Sequence, residues 1–307
     1  MKLHIEGMGA HGSLLAYLLQ QRGLPFTWND TNADFTAWRA STGAVFPTGD
    51  EDDQRCMDDW RDLIDAYPDS VWQYAHWVFA AKKPPHNATG RSLPLTHDGV
   101  VKLLEGSQSL HCDVQTLVQS AQTDFANRRC ENPPDDADVL IKAHGWTRRQ
   151  THVYWGWTRL VKLEHDFHTE LPGLGSNLPI SPYARVNRFG IRYAYPAGKS
   201  GWWYAGSTIT KQKSPASKPE RFEKEYARWL AEFEEAFAGH IRVVEEARFI
   251  EGWRPASQSM HGDNPNAYTV LGPYEEGGRL TYETPPMSHD GIRRFPDVWR
   301  WFQEELL

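Results

Sequence analysis

The sequence predicts an α/β fold in which a parallel-sheet domain is interleaved with an α+β domain built on an antiparallel sheet. Three observations lead to this prediction. A glycine-rich turn joins a predicted strand to a helix within the first thirty residues, aromatic and β-prone segments fill the middle of the chain, and another turn followed by a helix comes near residue 291. With 307 residues, the chain can bury a large core as one complex domain or two interleaved ones.

The glycine-rich turn has the spacing of a dinucleotide-binding motif. Gly7, Gly9 and Gly12 follow a predicted strand over residues 2–5 and precede a predicted helix over residues 13–21. The first glycine permits a sharp exit from the strand, the second lets a pyrophosphate approach the backbone, and the third lets the helix pack close to the sheet. Because a helix N-terminus offers unpaired N–H groups to phosphates, the pattern predicts a Rossmann-like dinucleotide site.

Two further residues belong to this motif. Asp30 follows the second predicted strand, over residues 25–28, at a position where a carboxylate accepts hydrogen bonds from ribose hydroxyls. His11 stands where a small or aliphatic residue is usual. Its ring either leans over the turn as a packing group or lies near the bound dinucleotide, and the sequence leaves both interpretations open.

The composition excludes several classes of protein. A net charge of −7 and a pI near 6.0 argue against a general binder of polyanions. Cys56, Cys112 and Cys130 have no metal-ligand spacing and no CxxC pattern, and the histidines form no HExxH motif, so no metal site is predicted. We find no apolar segment long enough for export or for a membrane span, and we expect a reduced, cytoplasmic setting.

The remaining elements follow from hydrophobic periodicity and turn residues. Helices are predicted to begin near residue 50 and to span residues 113–125 with Asp113 as cap, 219–237 and 292–307. Strands are predicted over residues 71–81, 138–143, 152–163, 241–250, 268–271 and 279–282 and in several pieces within 185–210, with a turn region over 82–91.

The order of these elements predicts an interrupted dinucleotide-binding domain. A dinucleotide motif starts the chain, a second sheet occupies the middle, and the glycine turn with its helix returns at the end to complete the first domain. We therefore assign residues 1–60, 109–150 and 253–307 to the dinucleotide-binding domain. Residues 61–108 and 151–252 are assigned to the second domain, which would bind the substrate.

Five stretches follow one another in the order found in a known family. They are the glycine motif with Asp30, residues 40–44 (ASTGA), residues 137–147 (ADVLIKAHGWT), residues 195–208, and residues 252–255 (GWRP) with the turn over 288–292 (SHDGI). Together they resemble the D-amino-acid oxidase and glycine oxidase superfamily of FAD-dependent amine oxidoreductases. The chain departs from the family pattern in having Asp rather than Glu at residue 30 and a compressed segment between residues 125 and 138.

The resemblance implies that FAD is the cofactor of the Rossmann-like domain. The binding is expected to be noncovalent, because residues 285–288 (PPMS) contain no cysteine at the turn where some relatives anchor the flavin. The residues that the resemblance and the glycine motif place around FAD are Gly7, Gly9, His11, Gly12, Asp30, Ser41, Thr42, Gly43, Ala143, Gly145, Trp146, His289, Asp290, Gly291 and Ile292.

The resemblance also implies the reaction and its partners. An amine next to a carboxylate transfers hydride to the flavin, water hydrolyses the imine that forms, and dioxygen reoxidises the flavin with formation of peroxide. The expected substrate is a small amine or amino acid, glycine-like or N-substituted. Because the flavin carries out the redox step, no strong general base is required when the amine binds in its neutral form.

Arg254 is the candidate that would bind the substrate carboxylate. A guanidinium group matches a carboxylate with two parallel hydrogen bonds, and the matching arginine of the family has this role. The alternative is a salt bridge between domains. Tyr195 and Tyr204 are candidates for pocket hydroxyls, with Tyr195 favoured, and their alternative is an aromatic side chain that faces outwards from the sheet.

Three other functions remain open at the level of sequence. The amino acid could be attached to a larger molecule, such as a modified nucleobase or a peptide. An NAD(P)-dependent reductase would use Asp30 equally well, although the antiparallel middle domain and the returning C-terminal turn argue against it. A flavin-binding protein without turnover is the third alternative, kept open by His11 and by the loose match of the turn over residues 288–292.

Overall fold

The structure is a computed structural model of the whole chain. It describes residues 1–30, 37–41, 43–45, 51–75, 78–79, 88–94, 102–106, 109–145, 152–165, 185–187, 190–196, 202–213, 219–236, 241–256, 269–285 and 291–307.

A mainly parallel sheet collects strands from the start, the middle and the end of the chain. In the described residues its strands are β1 (Leu3–Glu6), β2 (Phe26–Asn29), β9 (Val139–Lys142), β15 (Leu271–Glu276) and β16 (Arg279–Glu283). Their order across the sheet is β15-β16-β9-β1-β2, and only the pairing of β15 with β16 is antiparallel. This arrangement confirms the prediction of an α/β fold in which a late segment returns to the first sheet.

Two helices connect and cover this sheet. Helix α1 (Ala10–Gln21) joins β1 to β2, and α3 (Val114–Asp124) precedes β9. Helix α1 begins three residues before the predicted start, because the turn ends at Gly9 and Gly12 lies inside the helix. As predicted, Asp113 caps α3, and its carboxylate accepts a hydrogen bond of 3.1 Å from the backbone N–H of Thr116.

The C-terminal helix packs against an early helix. The two are α2 (Glu51–Leu63) and α5 (Phe295–Glu305). The carboxylate of Asp297 on α5 forms ion pairs with Arg55 on α2 at 3.2 Å and with Arg294 at 2.7 Å. The ion pair with Arg55 joins α5 to α2 and so stabilises the position of the C-terminal helix.

Small antiparallel sheets contain the remaining strands of the first half. One is formed by β3 (Ala44–Val45), β4 (Trp72–Ala75) and β8 (Ser109–Cys112), and the other by β5 (Val78–Phe79), β6 (Ala88–Pro94) and β7 (Lys102–Gly106). Strands β4 and β5 both lie within the strand predicted over residues 71–81, and residues 76–77 and 80–81 of that prediction lie outside the described residues. The predicted turn region over 82–91 was wrong at its end, because β6 begins at Ala88. The register between β6 and β7 shifts between Ala88 and Ser92, where Gly90 lies.

An antiparallel sheet forms the second half of the molecule. Among the described residues its strands are β10 (His152–His165), β11 (Arg185–Asn187), β12 (Gly190–Pro196), β13 (Trp202–Gln212) and β14 (Ile241–Ala256), in the order β11-β12-β13-β10-β14. Helix α4 (Pro219–Ala236) covers one face, where Phe222, Tyr226, Trp229 and Phe233 are buried in a cluster with Trp155 and Trp157. Strand β14 extends beyond its predicted end at residue 250 and so contains Arg254.

Two predicted domain boundaries fall within regular elements. The boundary at residue 60 lies in α2, and Trp60, Tyr67 and Val71 are buried in the core of the parallel sheet. The boundary at residue 253 lies in β14. The division into two domains stays a prediction. A boundary that leaves α2 and β14 intact would lie outside these two elements rather than at residues 60 and 253.

Membrane insertion through a helix finds no support in the described part of the chain, where no helix combines the length and the apolar character that crossing a bilayer requires.

Candidate functional site

The connections of the parallel sheet create a crevice next to the glycine-rich turn. From β1 the chain continues to β2 on one side, and β9 pairs with the other side of β1. In such sheets, ligands bind outside the carboxyl ends of the strands where the strand order reverses. Gly7 follows the carboxyl end of β1, and Ala143 and Gly145 follow that of β9, so the fold brings these predicted residues together.

The glycines of the turn are required by its backbone and by close packing. Gly7 has a φ of +99°, and a Cβ atom there would stand 2.9 Å from the backbone nitrogen of His144. A Cβ atom on Gly12 would overlap the carbonyl oxygen of Gly7. Gly9 is the N-cap of α1 and has no side chain with which to cap it, so the first N–H groups of the helix are available to an anion.

Asp30 lies at the carboxyl end of β2, where the sequence predicts a ribose-binding carboxylate. Its Oδ2 accepts a hydrogen bond of 3.4 Å from Nε2 of Gln122 on α3. The carboxylate is close enough to raise the pKa of His144, but burial and the Lys142 ammonium outweigh this effect and lower that pKa. His144 is therefore a neutral imidazole at the edge of the crevice at neutral pH.

His11 connects the glycine turn to the C-terminal turn. Its Nε2 lies 2.9 Å from the carbonyl oxygen of Gly291, and its ring centroid lies 5.6 Å from that of Phe295. Since a carbonyl oxygen only accepts hydrogen bonds, Nε2 carries the proton and donates it. Burial lowers the pKa of His11 although the bond to Gly291 acts in the opposite direction. The side chain thus links two segments that are predicted to surround the cofactor.

The C-terminal turn is held from a second side as well. The indole Nε1 of Trp60 donates a hydrogen bond of 3.0 Å to the carbonyl oxygen of Ile292. The side chain of Ile292 is buried in the core of the parallel sheet. His289 and Asp290, which the sequence also places at this turn, lie outside the described residues, as do Thr42 and Trp146.

In the small-residue segment before β3, the predicted site residue Gly43 is needed for close packing. Gly43 has a φ of +62°, and a Cβ atom there would overlap the carbonyl oxygen of Cys112 on β8. Its N–H lies 3.4 Å from the Ser41 hydroxyl oxygen, which accepts a hydrogen bond from it. The glycine at this position is therefore explained by the approach of β8.

A short 3-10 helix, Ala37–Ala40, lies between the glycine turn and the antiparallel sheet. The Thr158 hydroxyl on β10 donates a hydrogen bond of 3.2 Å to the carbonyl oxygen of Ala40. A Cβ atom on Gly252 of β14 would stand 2.6 Å from the Cβ atom of Ala40. On the other side of the helix, Cδ1 of Trp38 lies 3.4 Å from the place that a Cβ atom on Gly9 would take. Trp38 was not predicted as a site residue, because no periodicity or motif in the sequence indicates its position.

Alternation along β10 identifies the face of the antiparallel sheet that is turned towards this short helix. Trp155 and Trp157 are buried beside α4, so Tyr154 and Thr158 face the opposite side. Arg254 lies directly opposite Tyr154 on the neighbouring strand and therefore shares this face. Tyr154 and Arg254 are both half-buried.

The structure separates the two predicted tyrosines from Arg254. Tyr204 pairs with Leu160 of β10 and with Tyr195 of β12, whereas Arg254 pairs with Tyr154. Six residues of β10 separate these two levels, which corresponds to about 20 Å along the strand. Burial raises the pKa of Tyr204, and the nearby Asp113 carboxylate raises it further.

Tyr154 is thus the tyrosine that the strand register places beside Arg254. The sequence shows that β10 and β14 are strands, but their register depends on contacts between distant parts of the chain. The ring of His152 lies 5.0 Å from that of Tyr154 in an edge-to-face arrangement on the same side of the sheet.

Comparisons with known proteins agree on the fold. No protein-family model matches the sequence, and no curated protein matches it. Among solved structures, iminodiacetate oxidase from Chelativorans sp. BNC1 is 14% identical, with a TM-score of 0.66 over 97% of this chain and 93% of that one. Glycine oxidase from Bacillus cereus ATCC 14579 is 15% identical, with a TM-score of 0.63 over 96% of this chain and 92% of that one.

A third solved structure extends the likeness to an enzyme named for a different substrate. L-α-glycerophosphate oxidase from Mycoplasma pneumoniae, with FAD bound, is 12% identical, with a TM-score of 0.64 over 98% of this chain and 93% of that one. The likeness covers nearly the whole of each chain and is one of fold. The protein therefore shares the fold of iminodiacetate oxidase and glycine oxidase, which is the fold that the sequence motifs predict.

Proposed function

We propose that this protein is an FAD-dependent oxidoreductase that oxidises an amine next to a carboxylate. The observation that supports the proposal is that the short helix Ala37–Ala40 contacts the glycine turn on one side and the strand of Arg254 on the other. The open N-terminus of α1 at Gly9 suits a pyrophosphate, and the facing sheet presents the half-buried guanidinium of Arg254.

The residues around the glycine turn fit a noncovalently bound FAD. The first N–H groups of α1 would bind the pyrophosphate, and a closer approach is possible because Gly9 has no side chain. The carboxylate of Asp30 would accept hydrogen bonds from a ribose. His11 would keep the C-terminal turn against the same site through its bond to Gly291.

Arg254 would orient the substrate for the reaction. When bound, FAD supplies the two-electron acceptor for the amine carbon–hydrogen bond and passes the electrons to dioxygen, which becomes peroxide. The guanidinium group would hold the substrate carboxylate with two charge-assisted hydrogen bonds and so fix the position of the adjacent carbon. The imine product is then hydrolysed by water, without a general base supplied by the chain.

Two finer points extend the proposal. Similar folds occur in oxidases named for glycine and for L-α-glycerophosphate, so the fold alone leaves the substrate class open. Arg254 is the feature that favours a carboxylate, and we propose a free glycine-like or N-substituted amino acid as substrate. A larger substrate, in which the amino acid is attached to a nucleobase, would use the same contact.

The test is an absorbance spectrum of the purified protein, repeated without oxygen after addition of glycine derivatives and other amines. We expect flavin bands that bleach with a carboxylated amine and return when air is admitted. Bleaching only by amines that lack a carboxylate would contradict the assigned substrate class. A protein that acquires no flavin spectrum after incubation with FAD would overturn the proposal.

A further inference from the structure

The indole of Trp38 lies against the glycine turn on its ligand side. Its Cδ1 atom is 3.4 Å from the position of a Cβ atom on Gly9. In a dinucleotide motif, the second glycine lacks a side chain so that the pyrophosphate can approach from that direction. The indole therefore borders the space that the pyrophosphate requires.

Hydrogen bonds and packing hold the backbone around Trp38. Its carbonyl oxygen accepts a bond of 3.1 Å from the N–H of Ser41. The carbonyl oxygen of Arg39 accepts one of 3.0 Å from Nε2 of Gln115, which belongs to α3. The guanidinium of Arg39 lies 5.6 Å from the centroid of the Trp38 ring, at a cation–π distance. These contacts hold the backbone segment that carries the indole.

The opposite side of the same helix rests on the strand that carries Arg254. Ala40 faces Gly252 so closely that a Cβ atom on Gly252 would be 2.6 Å from the Ala40 methyl carbon. Thr158 adds its hydrogen bond to the Ala40 carbonyl oxygen. Gly252 precedes Arg254 by two residues and shares its face of the sheet, so one short helix touches both halves of the crevice.

We propose that Trp38 is a cofactor-contact residue that packs against the pyrophosphate, and that the Gly252–Ala40 contact sets its position. The inference rests on the proposed binding of FAD. Trp38 supplies a rigid apolar wall that excludes water from the phosphates, and Arg39 adds a positive charge behind it. Through Gly252, the position of this wall depends on the strand that binds the substrate.

The first experiment compares Trp38→Leu with Trp202→Leu, a control at another half-buried tryptophan, whose ring lies beside Lys162 at the start of β13. Binding is measured with two probes, FAD by quenching of flavin fluorescence and ADP by calorimetric titration. ADP contains the pyrophosphate but no flavin. We expect Trp38→Leu to raise both dissociation constants by about tenfold and Trp202→Leu to leave them unchanged. Trp38→Phe should recover most of the affinity.

The second experiment tests the contact that positions the indole. Gly252→Ala adds a methyl group that Ala40 must move to accommodate, which displaces the short helix. We expect the dissociation constants of FAD and ADP to rise several-fold. The double variant Gly252→Ala with Ala40→Gly removes the opposing methyl group and should restore both constants. A loss of thermal stability without a change in either constant would reduce the contact to a purely structural role and overturn this part.

Failure of the inference can be told from failure of the proposed function. If the unchanged protein binds neither FAD nor ADP, the proposed function fails, and the inference fails with it. If the unchanged protein binds both and Trp38→Leu alters neither constant, the inference alone is wrong. A change for FAD without a change for ADP would also contradict it, because the indole would then contact another part of the cofactor.

Discussion

Arg254 is, in the proposed function, the charge that binds the substrate carboxylate, and it lies on a sheet face that also packs against the short helix Ala37–Ala40. Gly252 on the same face packs closely against Ala40 of the short helix, and Tyr154 lies opposite the arginine on the neighbouring strand. Such a position makes the arginine a strong contributor to binding of an anion, since half-burial limits the competing effect of water.

Replacement of Arg254 by Ala should weaken the binding of carboxylated amines without abolishing flavin binding. Loss of a bidentate, charge-assisted contact costs about 2–4 kcal/mol, so KM should rise by roughly 30-fold or more. Arg254→Lys should recover only part, because an ammonium group lacks the planar fork. Steady-state kinetics with a carboxylated amine provide the measurement.

The matched control for this prediction is Arg242→Ala. Arg242 lies near the start of the same strand, where its guanidinium pairs with Glu164 at 3.4 Å and is largely exposed. We expect its kinetics to match those of the unchanged protein. An Arg254→Ala variant with the same KM as the unchanged protein would remove the assigned role.

Residues of the glycine turn could be predicted from the sequence because their requirement is local. Gly7 and Gly12 are needed by a turn and a helix start that lie within a few residues of each other, and the spacing itself records that need. The position of Trp38 at Gly9 and of Tyr154 opposite Arg254 depends on how distant segments approach each other. No local pattern contains that information, so both were missed.

At the level of elements, α1 has a role beyond its crossover between β1 and β2. Its first turn carries His11, which donates to Gly291 in the segment just before α5. The same segment accepts a hydrogen bond from Trp60 of α2. An early helix and a late turn are thus joined by a specific polar contact in addition to apolar packing.

Replacement of His11 by Leu should destabilise the protein by about 1 kcal/mol, because the Gly291 carbonyl oxygen loses its donor in a partly buried place. Glutamine carries an N–H donor of similar reach, so His11→Gln should lose less. Urea denaturation would give the free energy of unfolding for both variants. Equal free energies for the leucine and glutamine variants would show that the hydrogen bond contributes nothing beyond packing.

Elements with strong local signals were predicted well, whereas the pairing partners of the strands were not predicted. The cap at Asp113 and the apolar stripe of α4 follow from adjacent residues, and both are confirmed. The β-prone run over residues 71–81 contains β4 and β5, but the sequence did not show that these strands pair with β8 and β7. Composition predicts that a segment is extended, but the choice of partner is made by tertiary contacts.

At the scale of the whole molecule, three histidines among the described residues have lowered pKa values and so connect stability to pH. They are His4, His11 and His144, and burial is the main cause in each. His4 is fully buried in β1, with hydrogen-bonding distances of 2.8 Å to the Thr27 hydroxyl and 3.3 Å to the Asn29 side-chain oxygen. The folded state therefore favours the neutral form of all three rings.

Stability should fall as the pH drops below about 6.5, the ordinary pKa of histidine in an unfolded chain. Below that value the unfolded state binds more protons than the folded state, so the free energy of unfolding decreases with decreasing pH. Burial raises the pKa of Glu6, which acts in the opposite direction at lower pH, where the folded state binds the additional proton. Comparison with a histidine variant separates the two effects, since Glu6 is common to both proteins.

The measurement is the free energy of unfolding of the unchanged protein and of His4→Gln between pH 7.5 and 5.5. The variant should show a smaller decrease over this range, and His165→Gln, at an exposed position at the end of β10, should behave like the unchanged protein. Identical slopes for His4→Gln and the unchanged protein would contradict the assigned cause.

The position of β16 has a consequence for synthesis of the chain. This strand pairs in parallel with β9, which is translated well over a hundred residues earlier. Until the ribosome has released β16, the backbone groups along that edge of β9 face no strand of their own chain, and such an edge can recruit strands from other molecules. A slow or interrupted translation between β9 and β16 should therefore lead to aggregates more readily than an interruption before β9 has been made. For this protein, the yield of native molecules would depend on how quickly the final strand reaches its place.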